Sequence, residues 1–151
     1  MKPGSLKGVV VSINIGASKG RRKSGVRKAR ITSLGLEGDA HAGEGERQVS
    51  LLAQEWIESQ GHRPGDFAEN ITTKGIALRE LALGTHLRVG RALVEITQRG
   101  KECHTECEIR RQTGRCIMRT EGIFARVLVP GEVKIGDSVE VVRSRMDRRT
   151  P

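Results

Sequence analysis

The alternation of apolar and polar positions predicts many short strands separated by turns. Lys7 to Ile15, KGVVVSINI, is β-branched and bounded by Gly4 and Gly16, so it reads as a first strand lying in the core. The stretch Ala17 to Lys28, ASKGRRKSGVRK, has no apolar period and reads as a flexible basic loop, assigned to residues 17–30. In Ser50 to Ser59, Leu51, Leu52, Trp56 and Ile57 fall near helical spacing with Ser50 as N-cap, which predicts a short amphipathic helix. Gly65 and Asp66 open a turn into an apolar strand, Phe67 to Thr73, that carries Glu69 and Asn70. Ile76 to Leu83 reads as a short helix or helical turn, and His86 to Val89 and Ala92 to Thr97 as a hairpin turned at Gly90 and Arg91. Glu121 to Leu128, EGIFARVL, spaces Ile123, Phe124, Val127 and Leu128 as the buried face of another helix, and VKIGDSVEVV alternates as a hairpin arm. Short strands, few short helices and frequent glycines together predict a mainly β fold, a closed or nearly closed β-barrel, in preference to a βαβ sheet.

At 151 residues the chain has the size of one domain, taken as residues 1–143, followed by a basic tail over 144–151 that reads as disordered. No apolar run approaches the roughly 20 residues needed to cross a bilayer, and MKPGSLKG lacks a signal-peptide h-region, so the expectation is a cytoplasmic protein away from membranes. The net charge of +9 sits at the ends: nine Lys or Arg and no acid lie between Lys2 and Arg30, whereas Leu36 to Val142 holds 14 basic against 17 acidic residues. Aromatic residues make up only 2% of the chain, leaving little for bases to stack on. A nucleic-acid-binding module therefore rests on the basic ends alone and is disfavoured.

Candidate chemistry concentrates in Ile96 to Met118, ITQRGKECHTECEIRRQTGRCIM, which gathers Cys103, Cys107 and Cys116 with His104. Three cysteines without an export signal suit free, metal-bound or reactive thiols better than a disulfide framework. Three readings stay open. A buried cysteine serves as a small apolar residue, strongest for Cys116 in Cys-Ile-Met. A zinc site of Cys103, His104, Cys107 and Cys116 is hampered by uneven spacing and by adjacent Cys-His ligands. A reactive thiolate would carry sulfur or ligate a soft metal, favoured by neighbouring Arg99, Lys101, Arg110, Arg111 and Arg115 and opposed by Glu102, Glu106 and Glu108. A second constellation is GDAHAG followed by RQVSLLA: Asp39 and His41 are acid-base or metal candidates, or turn formers, and Arg47 ahead of a helix start at Ser50 would make an anion pocket fit for a phosphate. Asn70 would hydrogen-bond a polar ligand or satisfy a bulge. His62 and His86 read as solvated.

The ordered motifs GDAHAG, RQVSLLA, GDFAENITTKGI, LGTHLRVGRALVEITQRGKECH, CIM, EGIFARVL and VKIGDSVEV resemble a stand-alone MOSC domain, the domain named for the C-terminal part of molybdenum cofactor sulfurase, over about Gly8 to Val142. The resemblance implies a barrel like that of MOSC and pyruvate kinase β-barrel proteins, and a role in molybdenum cofactor (molybdopterin) binding or sulfur carriage. The implied sulfur-carrying residue is Cys103, then Cys107, then Cys116, with Cys103 as molybdenum ligand in the alternative role. The implied cofactor-binding residues are Arg47, Ser50, Asp39, His41, Asn70, Lys101 and Arg126. Implied partners are a cysteine desulfurase or a molybdoenzyme besides the small-molecule cofactor, and the enzyme alternative is a molybdenum-dependent reductase of N-hydroxylated compounds working with an electron-transfer partner. The sequence departs from relatives of this type at Arg119-Thr120, where they often read Pro-Arg.

Overall fold

Strand β1 (Lys7–Ile15) forms where its β-branched run predicts, and on it the main sheet closes. In the computed structural model, which describes residues 6–16, 24–39, 42–43, 45, 48–99 and 122–142, β1 is followed by β2 (Ser24–Val26), β3 (Lys28–Thr32), β4 (Gly35–Leu36) and β5 (Val49–Ala53). Helix α1 (Gln54–Ser59), β6 (Ile71–Lys74), a 3₁₀ turn at Leu78–Glu80, β7 (His86–Val89) and β8 (Ala92–Arg99) come next, then β9 (Ile123–Val129), β10 (Gly131–Lys134) and β11 (Ser138–Val142).

Hydrogen-bonded neighbours run β11-β7-β8-β9-β5-β6-β1, and β1 returns to β11 through Lys7–Val9, so seven strands close a barrel. Closure removes the unpaired edges that an open sheet would present. The pairings are antiparallel except β5 with β6, where Leu51 lies beside Ile71 and α1 sits in the crossover. Strand β2 extends the second half of β1, and a separate sheet β10-β3-β4 lies against the barrel. Its inward residues Ile31, Leu36 and Val133 join Val10, Ile13, Leu51, Ile71, Val94 and Ile123 in one core. A smaller cluster of Leu52, Ile57, Phe67, Ala68 and Phe124, covered by Trp56, fills the space outside β5 and β9.

The helix expected over Ser50–Ser59 is helical only in its second half, and the one expected over Glu121–Leu128 is a strand. Ser50 lies inside β5, not at a helix N-cap, and α1 begins only at Gln54 with no side-chain cap. Both faces of β5 are covered: Val49 and Leu51 point into the barrel and Leu52 into the outer cluster. A strand buried on both sides loses its two-residue alternation and mimics other patterns. The same reason explains β9, where Ile123 and Ala125 face the barrel and Phe124 the outer cluster. The strand expected from Phe67 starts only at Ile71, after a turn in which Ala68 adopts φ 63°. Within 17–30, the expected flexible loop gives way to β2 and β3 from Ser24 onward; residues 17–23 and the tail 144–151 lie outside the described residues. VKIGDSVEVV turns between the two sheets, its β10 half in the small sheet and its β11 half in the barrel. The β7–β8 hairpin forms as expected: at Gly90, φ is 58° and a Cβ would stand 2.7 Å from Asp137 Oδ2. Among the described residues no helix is long and apolar enough to cross a membrane.

The closing seam is tight at Gly8, where a Cβ would stand 2.4 Å from Lys74 O and 2.9 Å from Ile76 Cβ. Gly8→Ala is therefore expected to lower stability by about 1–3 kcal/mol through overpacking. Urea unfolding measures this, and an unchanged midpoint would mean that β1 and β6 part without cost.

Candidate functional site

Where the chain turns from Gly65 into β6, it buries a knot of polar side chains. Asn70 Oδ1 accepts from Ser50 N–H at 3.0 Å and from the Ser50 hydroxyl at 3.2 Å, while Asn70 N–H donates to Ser50 Oγ at 2.9 Å. Asn70 Nδ2 donates to Asn14 O at 3.2 Å, and Asn14 N–H donates back to Asn70 O at 2.7 Å. Asn14 Nδ2 reaches Thr72 Oγ1 at 3.1 Å, and the Thr72 hydroxyl donates to Glu69 Oε2 at 2.8 Å. Gly65 N–H also donates to Glu69 Oε2, at 2.9 Å. The chain Ser50, Asn70, Asn14, Thr72, Glu69 thus ties β5, β6 and β1 to the turn that precedes β6, with all five residues buried. Buried amides and hydroxyls are tolerable only when paired, and the Ser50–Asn70–Asn14 pairing meets that requirement.

Glu69 is the exception. Its Oε1 has no partner among the described atoms, and burial pushes the carboxyl from 4.5 up to about 7 despite the lowering effect of the hydrogen bonds from Gly65 and Thr72. Perturbed carboxyls cluster at functional sites, and structural networks perturb them as well. Here the neighbours are structural backbone and side chains.

The second motif is pinned in the same way. Asp39 Oδ1 accepts Gly16 N–H at 3.0 Å, at the end of β1. Gln48 Nε2 donates to Ser33 O at 2.9 Å and Gly43 O at 2.7 Å, and its Oε1 accepts Val127 N–H at 2.7 Å. Arg126 is exposed on β9 and paired with Glu95, Nη2 to Oε1 at 2.7 Å. His62 is half-buried, its Nδ1 3.1 Å from Asp66 Oδ2 and its ring edge-on to Phe67, so it is not freely solvated as expected; His86 is half-buried as well.

Of the candidate site residues, Asp39, Ser50, Asn70 and Arg126 fall among the described residues, whereas His41, Arg47, Lys101, Cys103, Cys107 and Cys116 lie outside them. The four that are described do not converge on a cofactor. Ser50 and Asn70 are sealed against each other, Asp39 accepts the Gly16 N–H at the end of β1, and Arg126 is held by Glu95. The expected phosphate pocket of Arg47 with a helix start at Ser50 has no helix there, since α1 opens seven residues beyond Arg47. The described residues therefore do not fit molybdopterin, and no step is derived through it.

The described ends of the cysteine-bearing connection are well defined. Arg99, the last residue of β8, pairs with Ile123, the first of β9, so the connection leaves and returns at one end of the barrel. The Arg99 guanidinium donates to Arg79 O, and Arg79 lies over the Trp56 ring at 5.1 Å. Arg79 and Trp56 at this place were not legible in the sequence, because they stand far from the cysteines along the chain. Asn14, Thr72 and Gln48 were missed too, the only hint being two polar residues, Ser12 and Asn14, inside an apolar strand.

These features define a closed β-barrel domain that seals a buried polar network into its architecture and carries its cysteines in one inter-strand connection. The MOSC domain profile matches residues 38–140, and the chain belongs to the MOSC domain family. The structure is similar to that of YuaD from Bacillus subtilis, with TM-score 0.74 and 19% identity over 90% of this chain and 96% of that one. It is also similar to YiiM from Escherichia coli, with TM-score 0.67 and 22% identity over 91% of this chain and 70% of that one. YiiM from Geobacillus stearothermophilus gives TM-score 0.66 and 23% identity, covering 90% and 75%. At these identities the likeness is one of fold. No curated protein matches the sequence.

Two outcomes follow for the knot. Asn70→Ala strands Ser50 N–H and Asn14 O in the interior and is expected to cost on the order of 3 kcal/mol in denaturant unfolding. Glu69 holds its proton more tightly folded than unfolded, so its stabilising effect is full below pH 4.5 and is lost as pH rises to about 7. The wild type should lose about 3 kcal/mol across that window relative to Glu69→Gln, in unfolding curves collected at both ends; parallel pH profiles would show that Glu69 binds its proton equally in the folded and unfolded chain.

Proposed function

We propose that this MOSC domain carries sulfur as a persulfide on a cysteine of the β8–β9 connection, in the service of molybdenum cofactor metabolism. The observation that carries the reading is that Cys103, Cys107 and Cys116, all the cysteines of the chain, fall between Arg99 and Ile123 in a member of this family. One connection rooted on paired strands can present a thiol to a partner without opening the barrel. Cations favour the thiolate, which is the attacking form, and Arg79 and Arg99 stand at the root of the connection.

In the step itself, the thiolate attacks the outer sulfur of a persulfide on a cysteine desulfurase. A new S–S bond forms to the carrier cysteine, the donor's S–S bond breaks, and the donor leaves as a thiolate, so no external oxidant or reductant is consumed. A second transfer passes the sulfur to the acceptor, a cofactor intermediate or a molybdoenzyme that bears it. Cys103 is the first candidate carrier and Cys107 the second. A cysteine that ligates molybdenum, as in a reductase of N-hydroxylated compounds, is the competing role for the same residue.

Intact-protein mass spectrometry without reductant, after incubation with cysteine and a desulfurase, tests this on the wild type and on Cys103→Ala, Cys107→Ala and Cys116→Ala. The expected result is a reductant-sensitive gain of one sulfur that disappears in Cys103→Ala or Cys107→Ala. Absence of the gain from all four proteins, with stoichiometric molybdenum in the purified protein, would replace the carrier by the ligand role.

A further inference from the structure

The outward face of the small sheet is cationic without a structural reason. In β3, Ala29 and Ile31 turn inward while Lys28 and Arg30 are exposed; in β10, Val133 is buried while Glu132 and Lys134 are exposed. The antiparallel register sets Lys134 directly opposite Lys28. Like charges facing each other across strands destabilise a sheet. Arg30, by contrast, lies opposite Glu132 on β10, and its backbone O accepts Glu37 N–H, so acidic residues flank it on both sides.

Two further cations converge on the Lys28–Lys134 pair. Arg91 N–H donates to Glu132 O at 3.0 Å, which fixes the β7–β8 turn against β10, and Arg91 and Lys134 line one open depression with Asp137. Ile135 N–H donates to Arg27 O at 3.0 Å, which brings Arg27 beside the turn after β10. Asp137 and Glu132 are the acids that line it as well, and Asp137 Oδ2 accepts Lys134 N–H at 2.8 Å. Among the described residues, none of the side chains of Arg27, Lys28, Arg91 and Lys134 forms an ion pair.

We propose that this face is a docking surface for an acidic patch on a partner protein. Repulsion across the Lys28–Lys134 register lowers the stability of the free chain and is relieved when an acidic surface settles on it, which is how charge complementarity selects partners and speeds their encounter. A protein fits better than a nucleic acid for two reasons. Glu132 interrupts the face and would repel a continuous phosphate backbone, yet it can pair with a base on a protein. No aromatic side chain stands there for a nucleobase, since Phe67 and Phe124 are buried and Trp56 is on α1.

Arg91 precedes β8 and Arg99 ends it, about 25 Å away along an extended strand, so the face and the strand end from which the cysteine connection departs stand apart. The inference does not rest on the sulfur reading, and each can fail without the other.

The test uses the full chain, a short polyglutamate peptide as the acidic probe and a short DNA duplex as the rival. Titrations followed by amide chemical shifts, at low salt and again at physiological ionic strength, give both affinity and location. The expected result is peptide binding with shifts in β3, β10 and Gly90–Arg91, weakened about tenfold in the double variant Lys28→Gln, Lys134→Gln and unaltered in Arg63→Gln. The double variant should also keep or raise the thermal midpoint, whereas a merely structural role for the two lysines would lower it. Shifts located elsewhere, affinity indifferent to the double variant, no binding, or tighter binding of the duplex on this face would each overturn the proposal.

Discussion

The reciprocal hydrogen bonds between Ser50 and Asn70, extended through Asn70 to Asn14, hold together the three strands on which the barrel's handling of its crossover depends. Strand β5 must leave the barrel through α1, and the chain must return to lie parallel to it as β6. A parallel return cannot be made by a tight hairpin, so the backbone of the returning segment arrives with peptide groups that no regular ladder yet satisfies. Asn70 satisfies them: one amide side chain accepts from β5 and donates to β1 in the residue before β6 begins. The positive φ at Ala68 and the buried Glu69 belong to the same bend, whose irregular backbone is stabilised by what packs around it.

With its interior committed in this way, the barrel is a rigid platform, and chemistry is left to what the platform carries. The connection that bears the cysteines is rooted on two paired strands beside Arg79 and Arg99, and the cationic sheet lies at the far end of β8.

Much of the fold was legible. The first strand, the Gly90–Arg91 hairpin, the 3₁₀ turn near Leu78 and the mainly β barrel followed from β-branched runs, glycine positions and turn spacing. The first half of Ser50–Ser59 and the segment Glu121–Leu128 misled for one physical cause: Leu51 with Leu52, and Ile123 with Phe124, face opposite covered sides of a strand, and consecutive buried residues carry no period. The candidate site divided similarly. Asn70 and Asp39 stood out as polar residues in apolar or glycine-rich surroundings, but that they bind their own barrel depends on Asn14, Ser50 and Gly16, which the sequence places far away.

By itself, then, the amino-acid order determined which segments extend, where glycine lets the chain reverse, that the thiols lie in one segment, and that the ends carry the positive charge, because each of these depends on a residue and its immediate neighbours. Only the tertiary structure decided that β1 closes on β11, that Glu69 is buried deeply enough to hold its proton to about pH 7, and that Lys28 meets Lys134. Those outcomes depend on strand register and desolvation between residues remote in the chain, and no local preference encodes either.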